Sequence, residues 1–114
     1  MSRHFFDTFH EGFPITILLG WDRPASYFFL VIEKPTELGE NTMTFDFLYS
    51  NLQEIYPFIH DLNYYREVLR HFNIDVPESM FIEVQHDCVR NIGNRVVTHQ
   101  ADGSFTDGFS ELPY

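Results

Sequence analysis

The stretch Phe13-Pro-Ile-Thr-Ile-Leu-Leu-Gly-Trp21 decides the fold. Phe13, Ile15, Ile17, Leu19 and Trp21 fall on every second position, which sets them on one face of a β-strand. Pro14 has no N–H to give a neighbour, so it belongs at the strand's start or on an outer edge. Upstream, His4–Phe9 is short, aromatic and β-prone, and His10-Glu11-Gly12 is a turn in which Gly12 can take positive φ. Downstream, Asp22-Arg-Pro-Ala-Ser26 is turn chemistry. Tyr27–Glu33 is apolar on both faces through its middle, which predicts a strand inside the sheet, covered on both sides. Beyond a polar loop at 35–41 around Gly39, Met43, Phe45, Phe47 and Tyr49 alternate with Thr44, Asp46 and Ser50. That pattern predicts a half-buried strand, although Leu48 breaks its polar row.

The period then changes. Asn51 and Glu54 have capping-box spacing for a short first turn, which Pro57 interrupts. Leu62, Tyr65, Val68, Leu69 and Phe72 form a stripe at helical spacing, closed by Asn73-Ile74. Val76-Pro77 opens a second helix with buried positions Met80, Phe81, Val84 and Cys88, and Asn91-Ile92 closes it. Asn94–His99 predicts another strand, and Ala101-Asp102-Gly103 a hairpin turn into Ser104–Thr106. The expectation is one α+β domain over 1–114: an antiparallel sheet of about five to six strands with two helices on one face, in the order ββββ-αα-ββ. Without alternating βαβ units, a doubly wound nucleotide-binding fold is disfavoured.

Aromatic residues make up 18% of the 114, too many for a disordered chain. The one cysteine, Cys88, cannot form an internal disulfide, and the start of the chain does not read as a signal peptide. The longest apolar runs, Ile17–Leu19 and Tyr27–Ile32, are far short of the roughly 20 residues that span a bilayer. A cytoplasmic setting without membrane contact is expected.

Seventeen carboxylates against seven basic residues give a net charge of −10. The excess is uneven: residues 35–63 hold Glu37, Glu40, Asp46, Glu54 and Asp61 and no Lys or Arg. Such a chain repels phosphate backbones, so direct nucleic-acid binding is not expected. A protein partner with a basic surface fits, because complementary fields speed encounter.

Residues able to do chemistry are scattered. Glu83 and His86 share a helix face, with Asp87 and Arg90 in reach, and this is read as a solvated, salt-bridged face. Cys88 falls on the apolar stripe and reads as a buried small hydrophobe. His60-Asp61 and Glu67/His71 are ordinary neighbours, and the six histidines lack a spacing that selects zinc, although a site gathered in three dimensions stays open. Asp102-Gly-Ser-Phe-Thr-Asp107 alternates oxygen side chains like a calcium loop, but Pro113 stands where the closing Glu is needed. No catalytic residue, metal ligand or cofactor is therefore assigned. The aromatic surplus is the remaining signal, because Tyr is favoured at protein contacts. Joined to the acidic stretch, it gives a candidate binding set: Glu37, Glu40, Asp46, Tyr49, Glu54, Tyr56, Asp61 and Tyr64.

Ser2-Arg-His-Phe-Phe-Asp7, Gly20-Trp-Asp-Arg-Pro24, Tyr49-Ser-Asn-Leu52, Gly93-Asn-Arg95 and Ala101-Asp-Gly103 are similar to segments of small accessory proteins carried by bacterial conjugative plasmids and genomic islands. The resemblance covers most of the chain and implies a mobile-element accessory role, with no catalytic residue to carry over. The function expected is a non-enzymatic, acidic protein-binding module. A sharper form is an inhibitor of a host DNA-handling or defence protein. The alternatives are a small metal-dependent enzyme using Glu83, His86, Asp87 and a distant His, or a structural homodimer joined along a free sheet edge.

Overall fold

The computed structural model describes residues 1–35 and 45–107. The elements are β1 (Ser2–His10), β2 (Phe13–Asp22), β3 (Tyr27–Pro35), β4 (Phe45–Ser50), a 3₁₀ turn (Asn51–Gln53), α1 (Leu62–His71), α2 (Glu78–Val89), β5 (Arg95–His99) and β6 (Phe105–Asp107). The fold is α+β in the expected order, and no helix among the described residues is long and apolar enough to cross a membrane.

Glu11 and Gly12 both take positive φ, 52° and 87°, as a two-residue type I′ turn requires. That turn fixes the register in which Phe6 faces Ile17 and His4 faces Leu19. The β2–β3 register continues the row, with Leu19 opposite Leu30 and Ile17 opposite Ile32. Paired residues share a face, so these side chains make one apolar wall. The helices close it with Leu62, Tyr65 and Leu69 from α1 and Met80, Phe81 and Val84 from α2. Ile15, Ile17, Leu19 and Trp21 of the alternation, with Leu62, Tyr65, Leu69, Met80, Phe81 and Val84 of the helical stripes, are thus the core itself. Phe13 at the turn end of β2 is exposed, and Val68, Phe72 and Cys88 are half-buried against that core.

The strand order is β4-β3-β2-β1-β5-β6. All neighbours are antiparallel except β1 and β5, which run parallel. The sheet is therefore mixed where a wholly antiparallel one was expected. The reason is topological: β1 begins the meander and leaves one edge open, and the short link 90–94 turns the chain back from α2 along it. Periodicity identifies β5 as a strand but carries no information about which edge it joins.

Local signals behave as their chemistry requires. Asn73 (φ 59°) and Asn91 (φ 54°) take the left-handed conformation, and Ile74 and Ile92 donate their N–H groups to Leu69 and Asp87 at 2.9 Å. Both helices thus end on the same six-to-one closure. Asp61 caps α1 by accepting from Tyr64 N–H at 2.9 Å. The cap of the 3₁₀ turn is Ser50 rather than Asn51, and Glu54 turns elsewhere. The β3–β4 register shifts between Ile32 and Glu33: Tyr49 pairs with Ile32 and Phe47 with Glu33. Leu48, the residue that broke the expected alternation, is the extra one in this bulge.

β3 lies inside the sheet, but the helices cover only one of its faces. On the other, Phe5, Leu18, Val31 and Val96 are half-buried. Phe29 is buried there because its ring lies across Gly20, its partner in register. A Cβ at Gly20 would sit 2.4 Å from Phe29 Cζ and 2.1 Å from Ser2 O, so only glycine leaves room.

Candidate functional site

Two constellations stand out, toward opposite edges of the sheet. The first lies beside β3, where β4 stops pairing at Ser50 and the chain continues as a loop instead of a strand. Pro57 permits no ladder bond of its own, and Asn51 holds the loop closed by donating to Pro57 O at 3.1 Å. The result is a row of large apolar side chains facing out: Leu52, Ile55 (86% exposed), Tyr56, Phe58 and Ile59 (71% exposed). Phe58 also packs on Tyr27 with ring centres 4.5 Å apart.

Behind this row the candidate tyrosines meet. Tyr49 and Tyr64 donate their hydroxyls to the same Glu54 oxygen, at 2.8 and 2.9 Å. These bonds, with Tyr49 the stronger cause, hold the Glu54 carboxyl below its usual range. Burial and the Glu54 carboxylate in turn raise the Tyr49 hydroxyl, and the bond to Glu54 raises that of Tyr64. Tyr64 stacks on His60 at 3.7 Å. Of the residues expected to bind, Tyr49, Glu54 and Tyr64 form one cluster, Tyr56 stands exposed beside it, and Asp61 is committed to capping α1. Asp46 lies on edge strand β4, and Glu37 and Glu40 lie outside the described residues.

The second constellation is buried between α2 and the β1–β5 pair. Asp87 Oδ2 lies 2.6 Å from His4 Nε2, His4 Nδ1 lies 2.9 Å from His99 Nε2, and His99 Nδ1 lies 2.9 Å from Ser79 Oγ. His4 is fully buried, Asp87 is 1% exposed and His99 2%. Arg95 reaches in from β5, giving Nη1 to Asp87 (2.7 Å), Nη2 to Glu83 (3.0 Å) and Nε to Asp107 (2.9 Å).

The electrostatics set a direction along this chain. Burial pushes the Asp87 carboxyl up, but hydrogen bonds from His4, Arg95 and Ser2 outweigh it and hold the group below its ordinary value. Asp87 is therefore an ionised acceptor, and His4 must donate through Nε2. The contacts His4 Nδ1–His99 Nε2 and His99 Nδ1–Ser79 Oγ continue the chain from the carboxylate to the hydroxyl. Burial and the neighbouring His4 lower His99 to about 4, so it is neutral at physiological pH.

This cluster corrects the reading of α2. Asp87 was expected on a solvated face with Arg90; it is buried, and its cation is Arg95. The parallel β1–β5 pairing is the cause, because it places Arg95 opposite Ser2 and Val97 opposite His4. Polar residues on core positions were the available signal: Ser2 and His4 alternate with Phe6, and Asp87 follows Val84 by three. Buried polar groups need partners, so these residues had to find one another.

The other candidates are quieter. Glu83 and His86 stand 3.5 Å apart at the surface edge of α2. Among the described residues, no group of three or more His, Cys, Asp and Glu side chains is arranged to hold a metal ion. Cys88 packs against the core, and burial pushes its thiol up. Asp102 Oδ1 accepts from Ser104 N–H (2.9 Å) and Oγ (2.7 Å), which makes 101–104 a turn. An open groove of about 270 Å³ between the helices is lined by Leu62, Phe81 and Ile82, beside the Arg66–Glu78 pair at 2.7 Å. Comparison with family models, curated proteins and solved structures finds no match.

Proposed function

We propose that this chain is a protein-binding module whose docking face is the loop 52–59 with the Glu54–Tyr49–Tyr64 cluster behind it. The observation that carries the reading is the run of five exposed large apolar side chains within that loop. Folded domains rarely display such a patch without a partner, and aromatic anchors with a polar rim are the common anatomy of interfaces. Charge narrows the partner. The surrounding sequence from 35 to 63 has five carboxylates and no base, so a basic protein surface complements it. A second copy of the chain fits less well, because docking face to face would bring the same acidic residues together. Within the role implied by the resemblance, the partner is a host DNA-handling or defence protein engaged through its basic surface.

Capture from a natural host, at low and high salt, tests this with the wild type and an Ile55→Ser/Ile59→Ser variant. The expected result is one basic protein retained by the wild type, released as salt rises, and lost from the variant while its melting temperature is unchanged. Equal retention by the variant, or no partner at either salt, rejects the reading.

A further inference from the structure

We propose that Ser79 is a nucleophile, activated by His99 through the buried His4–Asp87 pair, and that it reacts with small activated acyl esters. The proposal is independent of the docking face, which lies toward the β4 edge of the sheet, away from the β1–β5 pair.

The geometry has the parts that nucleophilic catalysis needs. A weak hydroxyl nucleophile requires a base within hydrogen-bond reach and a third group that orients the base. Here Ser79 Oγ and His99 Nδ1 are 2.9 Å apart, and the orienting group is a second imidazole backed by an ionised carboxylate. Each nitrogen of both rings is engaged, so each ring is held in one orientation. Reactive constellations of this kind are recognised by role and distance, not by position in the chain. Ser79 is half-buried where His4, His99 and Asp87 are buried, so the reacting end of the relay is its accessible end. It stands in the first turn of α2, where Met80 N–H bonds Pro77 O at 3.0 Å. The Glu78 and Ser79 N–H groups precede the first intrahelical acceptor and are available to a developing oxyanion. Phe105 packs on His99 with ring centres 5.3 Å apart and is itself exposed, an apolar wall for a short acyl group.

The chemistry closes without a co-reactant other than water. Ser79 Oγ forms a bond to the acyl carbon while its proton passes to His99 Nδ1. The imidazolium charge is stabilised by His4 Nδ1 at His99 Nε2, and by Asp87 at His4 Nε2. The C–O bond to the leaving alcohol breaks, and the alkoxide takes the proton from His99. Water then adds to the acyl-Ser79 ester with His99 as base, the bond to Oγ breaks, and Oγ recovers a proton. The net change is ester plus water to acid plus alcohol. Arg95 limits the base: its guanidinium on Asp87 withdraws charge from the relay, so only substrates with good leaving groups are expected to react.

Two probes decide the matter on the intact chain: a fluorophosphonate, followed by peptide mapping, and p-nitrophenyl acetate, followed by phenolate release. The expected result is one phosphonyl group per chain, located on Ser79, and ester turnover at least tenfold above that of Ser79→Ala. Ser79→Ala removes only a half-buried hydroxyl, and its circular dichroism verifies the fold. A His99→Gln variant that folds should lose the adduct. An unmodified Ser79 in the wild type, or label and turnover unchanged in Ser79→Ala, overturns the proposal and leaves the relay as a structural clamp.

Discussion

His4 Nε2 and Asp87 Oδ2 meet at 2.6 Å across 83 residues of sequence, and both are buried. This contact bolts the first strand to the second helix, and Arg95 fastens the same carboxylate to the fifth strand.

Removing one partner of this cluster should cost far more than its surface counterparts. Arg95→Met leaves Asp87 and Glu83 without their cation, and breaking such a buried pair typically costs about 3–5 kcal/mol. Arg66→Met, at the exposed Arg66–Glu78 pair, should cost under about 1 kcal/mol. Urea titration of the two variants measures the contrast, and equal losses would contradict it.

Stability should fall as pH drops from about 6.5 toward about 4. His99 has its folded value lowered, so in this window the unfolded chain binds a proton that the folded chain refuses, and unfolding gains. His4, Asp87, Glu83, Arg95 and Ser79 are the groups facing it. The loss is on the order of 2–3 kcal/mol. Asp87 adds a second decline below 3.8, because its folded value is also lowered and protonation there costs the native state. Denaturation midpoints from pH 7.5 to 3 read both steps, and a flat profile between 6.5 and 4 would exclude a neutral buried His99.

Gly20→Ala should destabilise by about 2–3 kcal/mol, the scale of overpacking in a well-filled interior. The added methyl meets a backbone oxygen at 2.1 Å as well as the Phe29 ring. Pairing it with Phe29→Ala should recover only part of the loss, since the Ser2 carbonyl remains. Thermal melts of the single and double variants give the answer.

Asn73→Ala should lose about 1 kcal/mol, because an alanine pays the left-handed penalty without asparagine's local hydrogen bonding. Asn73→Gly should be neutral or better. The ordering Gly, Asn, Ala in melting temperature checks the left-handed closure of α1.

Much of this was legible before any coordinates. The apolar alternation from Ile15 to Trp21, the stripe from Leu62 to Phe72 and the stops at Asn73 and Asn91 are local properties, set by a few consecutive residues, and each stands where expected, although Phe13 at the head of the alternation is exposed. The candidate binding set was partly legible too: Tyr49, Glu54 and Tyr64 share one carboxylate, while Asp61 had a capping role that its place before Leu62 already implied. The exposure of Ile55, Phe58 and Ile59 was not legible, since nothing local says that β4 stops short and leaves a loop on the edge of β3. Nor was the relay. His4, Asp87, Arg95 and His99 come together only through the parallel pairing of β1 with β5, a non-local choice that periodicity does not encode.

That same parallel pairing bears on how the chain acquires its shape. β1 leaves the ribosome before β2, β3, β4 and both helices, and β5 only after them, so one flank of β1 waits for the whole intervening polypeptide. Contacts of such long separation are slow to form. Until they do, His4 has no neighbour to share its proton with, and the unpaired margin of β1 is open to any extended segment that passes. A chaperone that shields this margin during synthesis should therefore raise the yield of native protein more than one acting on the finished chain.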